Sequence, residues 1–320
     1  MTLGVLEALE LHPVSIPMKH RFRSTDRRDA VLIRGPSGWG EFSPFPDYAP
    51  EVTTRWLASA LEAACGRWPA PLRTRVPVNV TVPAVDGPTA FAMVVASGCR
   101  TAKVKVADPG QTPHDDDDRL TAVREALGPE GRVRIDVNAA WDLETATARL
   151  IELDRFRLEY AEQPVRSLED MIELRRRVPV RIAADESVRM SADPLEVAER
   201  GAADILVVKV QPLGGVERAL GLARRAGLPA VVSSALETSV GIAAGLAAAA
   251  ALPDLDFACG LGTVSLFTGD VVRDSLVPQG GWLEPRRPEP DPELLERFAA
   301  PGDVAARLMR RLRWAAEVLT

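Results

Sequence analysis

VPVNVTVPA (76–84), TAKVKV (101–106), RVRIDVN (132–138), LEYAEQP (158–164), VRIAADES (180–187), ILVVKVQP (205–212), PAVVSSALE (229–237) and DFACGLGT (256–263) are short β-branched or apolar runs. They recur roughly every 20 to 30 residues, bounded by turn-forming residues, and so read as strands. Helix-like stretches separate them at 117–127, 143–154, 167–177, 194–200 and 215–226, followed by the Ala-rich run VGIAAGLAAAAAL (240–252). Strand then helix, repeated, predicts an α/β chain with a parallel sheet of βαβ units. Eight such units in fewer than about 200 residues predict a (β/α)8-type barrel, because the polar residues cluster at the C-terminal strand ends, where a barrel carries its chemistry.

Outward from this core the pattern changes. The first 75 residues hold strand-like VLEALELHPVSI (5–16) and DAVLIRGPSGWGEF (29–42), then a helix-like segment at 50–68, and are expected to form an α+β capping domain. PMKHRFRSTDRR (17–28) has no period and reads as a mobile loop. Its Arg21, Arg23, Arg27 and Arg28 are expected to close over an anionic substrate. The barrel is expected over 76–284, and residues 285–320, Pro- and Glu-rich and then helical, to pack back on the cap.

The totals exclude several classes. Of 320 residues 46% are hydrophobic and 26% charged, which are globular proportions. A net charge of -6 with a pI near 5.4 leaves no electrostatic footprint for nucleic acid or an anionic membrane. Cys65, Cys99 and Cys259 are too few and too scattered for a disulfide framework or a zinc knuckle, so a reducing cytoplasm is expected. The N-terminus lacks a signal-peptide pattern, and the Ala-rich run is short of the ~20 residues that span a bilayer. Oligomeric state is not legible.

Residues two apart on a strand share a face. Lys103 and Lys105 therefore point one way, as do Arg134, Asp136 and Asn138, then Tyr160 and Glu162, then Ala183 and Asp185, then Val207 and Lys209. With the alternate apolar set packed against helices, these polar groups converge in the barrel mouth. Asp136, Glu162 and Asp185 offer hard oxygen ligands without His or Cys, which suits Mg²⁺ or Mn²⁺. Such a cation would stabilise the dianion formed when a carbon acid next to a carboxylate loses its proton. Arginine supplies nearly all the basic residues and only Lys19, Lys103, Lys105 and Lys209 are lysine. A lysine kept in that setting marks a place where a deprotonable amine is needed. Taken singly, Lys-Val-Lys at a strand end is ordinarily a solvated terminus. Charged groups facing inward on five consecutive strands would be costly to bury without a ligand.

Other features read as structural. Asp115–Asp118 begins a helix without calcium-loop spacing, the three histidines share no metal spacing, and Gly214–Gly215 lacks a P-loop lysine. Ser233 and Ser234 lie outside any GxSxG elbow, so substrate contact is expected of them rather than nucleophilic attack.

AKVKV, RIDVNAAW, EYAEQP, AADES and VVKVQPLGG together resemble the enolase superfamily, and within it the muconate-lactonizing subgroup, over nearly the whole chain. The resemblance implies a modified (β/α)7β barrel under an α+β cap. It implies Asp136, Glu162 and Asp185 as metal ligands, Lys105 and Lys209 as opposed acid/base lysines, and Lys103 at a substrate carboxylate. GWGEFSPFPDYAPE, SSALETSVG and GLGTVSLFTGDVV further resemble the o-succinylbenzoate synthase family, dehydratases of menaquinone biosynthesis. That likeness implies syn elimination of water from 2-succinyl-6-hydroxy-2,4-cyclohexadiene-1-carboxylate, with Arg134, Asn138, Ser233, Ser234 and Gly262 near the substrate. N-succinylamino acid racemases and dipeptide epimerases use the same two lysines and are the alternative. The epimerases resemble one another in an Asp-x-Asp on the eighth strand, which this chain lacks after Asp256, and Gly262 stands where relatives often carry Asp. A non-catalytic binding protein on the same scaffold is a remoter alternative, disfavoured by the intact set of lysines and carboxylates.

Overall fold

The computed structural model describes residues 2–22 and 25–319, and only the backbone of Thr2, Leu3 and Val5. In the cap, β1 (Glu10–Phe22), β2 (Thr25–Gly35) and β3 (Gly38–Phe42) form an antiparallel sheet in that order. The helix Pro50–Cys65 lies so close on this sheet that a Cβ on Gly40 would stand 2.0 Å from the Ala60 carbonyl oxygen and one on Gly35 2.5 Å from that of Ala64. The C-terminal helix Gly302–Val318 buries Leu308, Leu312, Ala315 and Ala316 in the same core as Trp56, Leu57 and Ile33.

Two expectations for the cap are corrected. Residues 2–7 are helical, and the first strand starts only at Glu10. The polar segment 17–28 is strand rather than loop wherever it is described, because its polar side chains find partners. Arg27 donates to the Ser15 hydroxyl at 3.0 Å and to its carbonyl at 2.9 Å. Arg28 is buried and donates to the carbonyls of Leu236 (2.8 Å), Ala235 (3.1 Å) and Ser43. Hydrogen-bonded arginine replaces the apolar alternation by which a strand is usually read.

The barrel sheet is parallel, with β5 (Val80–Val82), β6 (Thr101–Lys105), β7 (Arg132–Asp136), β8 (Leu158–Glu162), β9 (Ile182–Ala184), β10 (Ile205–Val208) and β11 (Ala230–Val232) neighbouring in sequence order. Ahead of β5, β4 (Val76–Pro77) turns aside to pair antiparallel with β12 (Trp282–Leu283). The expected eighth strand shrinks to two parallel bridges, Cys259 with Val78 and Gly260 with Ser233, which still join the first strand segment to the last. That contact is very close: a Cβ on Gly260 would stand 2.4 Å from the Ser233 hydroxyl oxygen. A helix at Gly87–Ser97, N-capped by Asp86, fills the first crossover, which the sequence reading left unassigned.

The alternation holds along each strand. Val104, Ile135, Ala161, Ile182, Leu206 and Val232 face the surrounding helices, including the buried Ala-rich helix Ser239–Ala251. Tyr160, Ala183, Val207, Val231 and Phe257 fill the barrel interior below the polar residues.

Candidate active site

Strand register assembles the site. Lys105 pairs with Asp136 across β6 and β7, and Asp136 with Glu162 across β7 and β8, giving one row at the C-terminal edge. Asp185 and Lys209 each follow directly after the last residue of β9 and β10. All of these side chains are buried, and each lysine holds a carboxylate. Lys105 Nζ donates to Asp136 Oδ2 at 2.6 Å and to the Asn138 side-chain oxygen. Lys103 Nζ reaches both Glu162 oxygens, at 2.9 and 3.0 Å, and stands 3.4 Å from Asp136. Lys209 Nζ donates to Asp185 Oδ2 at 2.5 Å.

Burial pushes the Glu162 carboxyl up to about 7, and Asp136 and Asp185 push it the same way against the pull of Lys103 and Lys209. Burial alone would lower the pKa of Lys103, but Glu162 and Asp136 outweigh it and hold the amine protonated. Three carboxylates thus share one low-dielectric volume and repel each other across it.

Phe22, from the tip of β1, and Phe45 roof this mouth, leaving a cavity of only about 20 Å³ lined also by Lys103, Lys105, Lys209, Ser233 and Ser234. The Phe22 ring centroid lies 5.1 Å from Lys105 Nζ. Ser234 Oγ shares a 2.6 Å hydrogen bond with Thr263 Oγ1. Asn138, in the left-handed region at φ 51°, is brought in beyond the end of β7 and donates to Glu186 at 3.1 Å.

Other expected residues lie elsewhere. Arg134 does point inward, but one layer deeper: it donates to Glu159 at 2.5 Å, to the Ala258 carbonyl at 2.6 Å and to Asn79 at 3.2 Å, stacked 4.7 Å from the Tyr160 ring centroid. It plugs the barrel below the site. Gly262 lines a separate groove with Lys19, His20 and Pro278, and a Cβ there would meet the Asn79 carbonyl oxygen at 2.9 Å. Arg27 and Arg28 are tied to the cap as described above, Arg21 is exposed, and Arg23 lies outside the described residues.

The sequence reading missed Arg189, Tyr48, Phe22 and Phe45. Arg189 is buried and donates to Asp185 Oδ1 at 3.0 Å, to Glu186 at 2.5 Å and to the Tyr48 hydroxyl. Its spacing of four residues after Asp185 is a signal the sequence carries, since helical neighbours at that distance meet. The two phenylalanines carry no such local mark, because they reach the mouth only through packing of the cap.

Among the described residues, no three His, Cys, Asp or Glu side chains converge closely enough to cage a metal ion; the site carboxylates each hold a lysine. The donor set nevertheless fits a hard divalent cation. It is all oxygen, free of thiol and imidazole, and Asp136 and Asp185 help raise the pKa of Glu162 across a shared volume that added positive charge would stabilise.

The chain matches two family profiles, Enolase N-terminal domain-like over residues 14–64 and Enolase C-terminal domain-like over residues 89–290. It is 57% identical over 273 residues to an o-succinylbenzoate synthase of Thermobifida fusca, covering 85% of this chain and 86% of that protein. It is 50% identical over 296 residues to one of Mycobacterium marinum, covering 92% and 89%. In fold it is similar to a mandelate racemase/muconate lactonizing family protein from Azoarcus sp. EbN1, with a TM-score of 0.76 and 22% identity over 92% of this chain and 97% of the other.

Proposed function

The chain belongs to the o-succinylbenzoate synthase family of the enolase superfamily, metal-dependent lyases, and we propose how its residues divide that work. Enolase-superfamily sites are a known example of a Lys or His base working beside Mg²⁺. The observation that carries the assignment is the placement of Lys105 at the end of β6 and Lys209 just past the end of β10, with three strands between, both amines lining one pocket.

The substrate is 2-succinyl-6-hydroxy-2,4-cyclohexadiene-1-carboxylate, a dianion. Lys105, neutral at that moment, takes the proton from the ring carbon bearing the carboxylate, and the C–H electron pair moves toward the carboxylate. The resulting ammonium then gives its proton to the departing hydroxyl on the same face. The C–O bond breaks, water leaves, and the ring becomes aromatic as o-succinylbenzoate. Lys209 stays protonated and faces the developing negative charge, and Lys103 steadies a carboxylate. Asp136, Glu162 and Asp185 would hold the cation, Mg²⁺ in this reading and Mn²⁺ as substitute. When bound, it supplies the positive charge that stabilises the dianion formed on proton loss.

Charge balance supports this division. Lys103, Lys105, Lys209 and Arg189 face Asp136, Glu162, Asp185 and Glu186, so a divalent cation and a dianionic substrate add equal and opposite charge. Phe22 and Phe45 have to move to admit a ring into a cavity of about 20 Å³, and on closing they exclude water from Lys105. The reading also divides the chain near residues 75 and 285 and sets it in the cytoplasm, in keeping with three unpaired cysteines.

The test is a spectrophotometric assay with the cyclohexadiene substrate, in Mg²⁺ and in EDTA, with Lys105→Ala as blank. Mg²⁺-dependent aromatisation absent from the blank is expected. No turnover by folded, metal-loaded protein would discard the dehydratase and direct the search to proton exchange on N-succinylamino acids and dipeptides.

A further inference from the structure

We propose that a second cavity, on the cap side of Phe45, is a binding site for a small aromatic carboxylate. This cavity measures about 750 Å³ and opens between the start of β2, the 44–50 segment and the C-terminal helix. Phe45 lines both this space and the catalytic pocket, so the two lie on either side of one ring.

Its charge is one-sided. Arg27, Arg28, Arg307, Arg310 and Arg311 line it against only Asp26 and Asp29. Asp29 is engaged already, by the Ser15 hydroxyl at 2.6 Å and by Arg307 at 3.1 Å. Arg311 donates to the carbonyls of Pro44 (3.2 Å) and Tyr48 (2.7 Å), and Arg28 donates to carbonyls alone. These acceptors are neutral, and the other opposite charges near the two arginines, Glu41 and Glu237 for Arg28 and Asp47 for Arg311, lie outside the cavity lining. Arg310, exposed, has no hydrogen-bond or ion-pair partner among the described residues. Burial is the main cause that lowers the pKa of Arg311; Asp47 opposes it, and Arg28 and Arg307 add to it in smaller measure.

The rest of the wall is apolar and aromatic, with Phe45, Tyr48 and Trp314 facing the arginines. Guanidinium groups match a carboxylate in planar, two-pronged fashion, and aromatic walls take a ring at their faces and edges. The volume lies within the range of small-molecule sites. A ligand seated here would touch Tyr48, whose hydroxyl meets Arg189, and so would lie two side chains from Asp185.

The experiment is a calorimetric titration of phthalate into the Mg²⁺-loaded full chain, repeated with sulfate and followed in parallel by tryptophan fluorescence. Phthalate is expected to bind, with affinity at least tenfold lower in the double variant Arg307→Ala/Arg310→Ala and unchanged in Lys103→Met. Trp314→Phe should abolish the fluorescence response and keep the heat. Should the double variant not fold, Arg310→Ala alone, at an exposed and unpartnered position, is expected to weaken binding at least threefold. No heat up to about 10 mM, where a ligand of this size registers, overturns the proposal. So does binding lost in Lys103→Met but kept in the arginine variants, which would place the ligand in the catalytic pocket, or equal affinity for sulfate, which would reduce the site to bare charge.

Discussion

Arg189 holds Asp185 from one turn further along the chain, Nε to Oδ1 at 3.0 Å, while Lys209 takes the other oxygen at 2.5 Å. The same guanidinium reaches Glu186 and the Tyr48 hydroxyl of the cap. Asp185 is therefore oriented by one residue that also senses the cap.

Replacing Arg189 by Met removes that orientation without touching a proposed ligand. Losses of such supporting contacts typically cost about 10- to 100-fold in metal affinity or activity. Calorimetric Mg²⁺ titration and kcat/KM should both fall within that range, and Tyr48→Phe should show a smaller loss. Unchanged Mg²⁺ affinity in Arg189→Met would mean that Lys209 alone fixes Asp185.

Metal removal should lower thermal stability. Glu162 is pushed up to about 7 by burial and by its acidic neighbours, a repulsion that a bound cation relieves. A ligand present at about 100 times its Kd stabilises the folded state by about 2.7 kcal/mol, a Tm rise of a few degrees. Melts in Mg²⁺ and EDTA should show that difference in the wild type and lose most of it in Glu162→Gln. An equal Mg²⁺ shift in the variant would remove Glu162 from the ligand set.

Glu41 sets a second pH dependence, away from the lysines. It is buried where the cap meets the barrel, accepting from Ser43 Oγ, Thr238 Oγ1 and the backbone of Thr238 and Gly241. Burial and then Glu237 push its pKa from 4.5 up to about 7, against Thr238, Ser43 and Arg28. A carboxyl with a raised folded-state pKa favours the fold fully below its unfolded pKa, and that contribution is lost as pH rises through the folded value. The window is therefore about 4.5 to 7, with up to about 3 kcal/mol at stake. In Glu41→Gln the amide oxygen can keep the Thr238 and Gly241 donors, while the Ser43 hydroxyl turns to accept from the new NH₂. The Tm of this variant relative to wild type should climb between pH 5 and pH 8; a flat difference would show that Glu41 is ionised throughout.

Strand eight should be intolerant of side chains. A Cβ on Gly260 would meet the Ser233 side chain at 2.4 and 3.1 Å, and one on Gly262 would meet the Asn79 carbonyl at 2.9 Å and Pro278 at 3.0 Å. Overpacking of this kind typically costs about 1–3 kcal/mol. Urea unfolding of Gly260→Ala and Gly262→Ala should show losses in that range, and Gly262→Asp at least as much. Variants within about 0.5 kcal/mol of wild type would indicate a more pliable barrel seam.

Much of the fold and the centre of the site were legible because strand alternation is local. Lys105, Asp136 and Glu162 were placed on one face from spacing alone, and the register then set them side by side. What alternation cannot supply is depth. Arg134 has the right parity and lies one layer too low, where Tyr160 and Glu159 receive it. Nor does it show which polar residues are buried by carbonyl acceptors, as Arg28 is, so a strand read as a loop. Phe22, Phe45 and Tyr48 come to the site through contacts with residues far along the chain, Phe22 with Lys105 and Tyr48 with Arg189, which no window along the chain contains.

Three of the four lysines sit together under two aromatic rings, at 4 to 7% exposure, and the fourth, Lys19, is on the surface. Toward an acylating reagent the closed protein therefore presents a single side-chain amine. Label acquired at Lys103, Lys105 or Lys209 would record the time the roof spends lifted, which gives this arginine-rich protein a built-in clock for its own opening, readable by mass spectrometry without any engineered reporter.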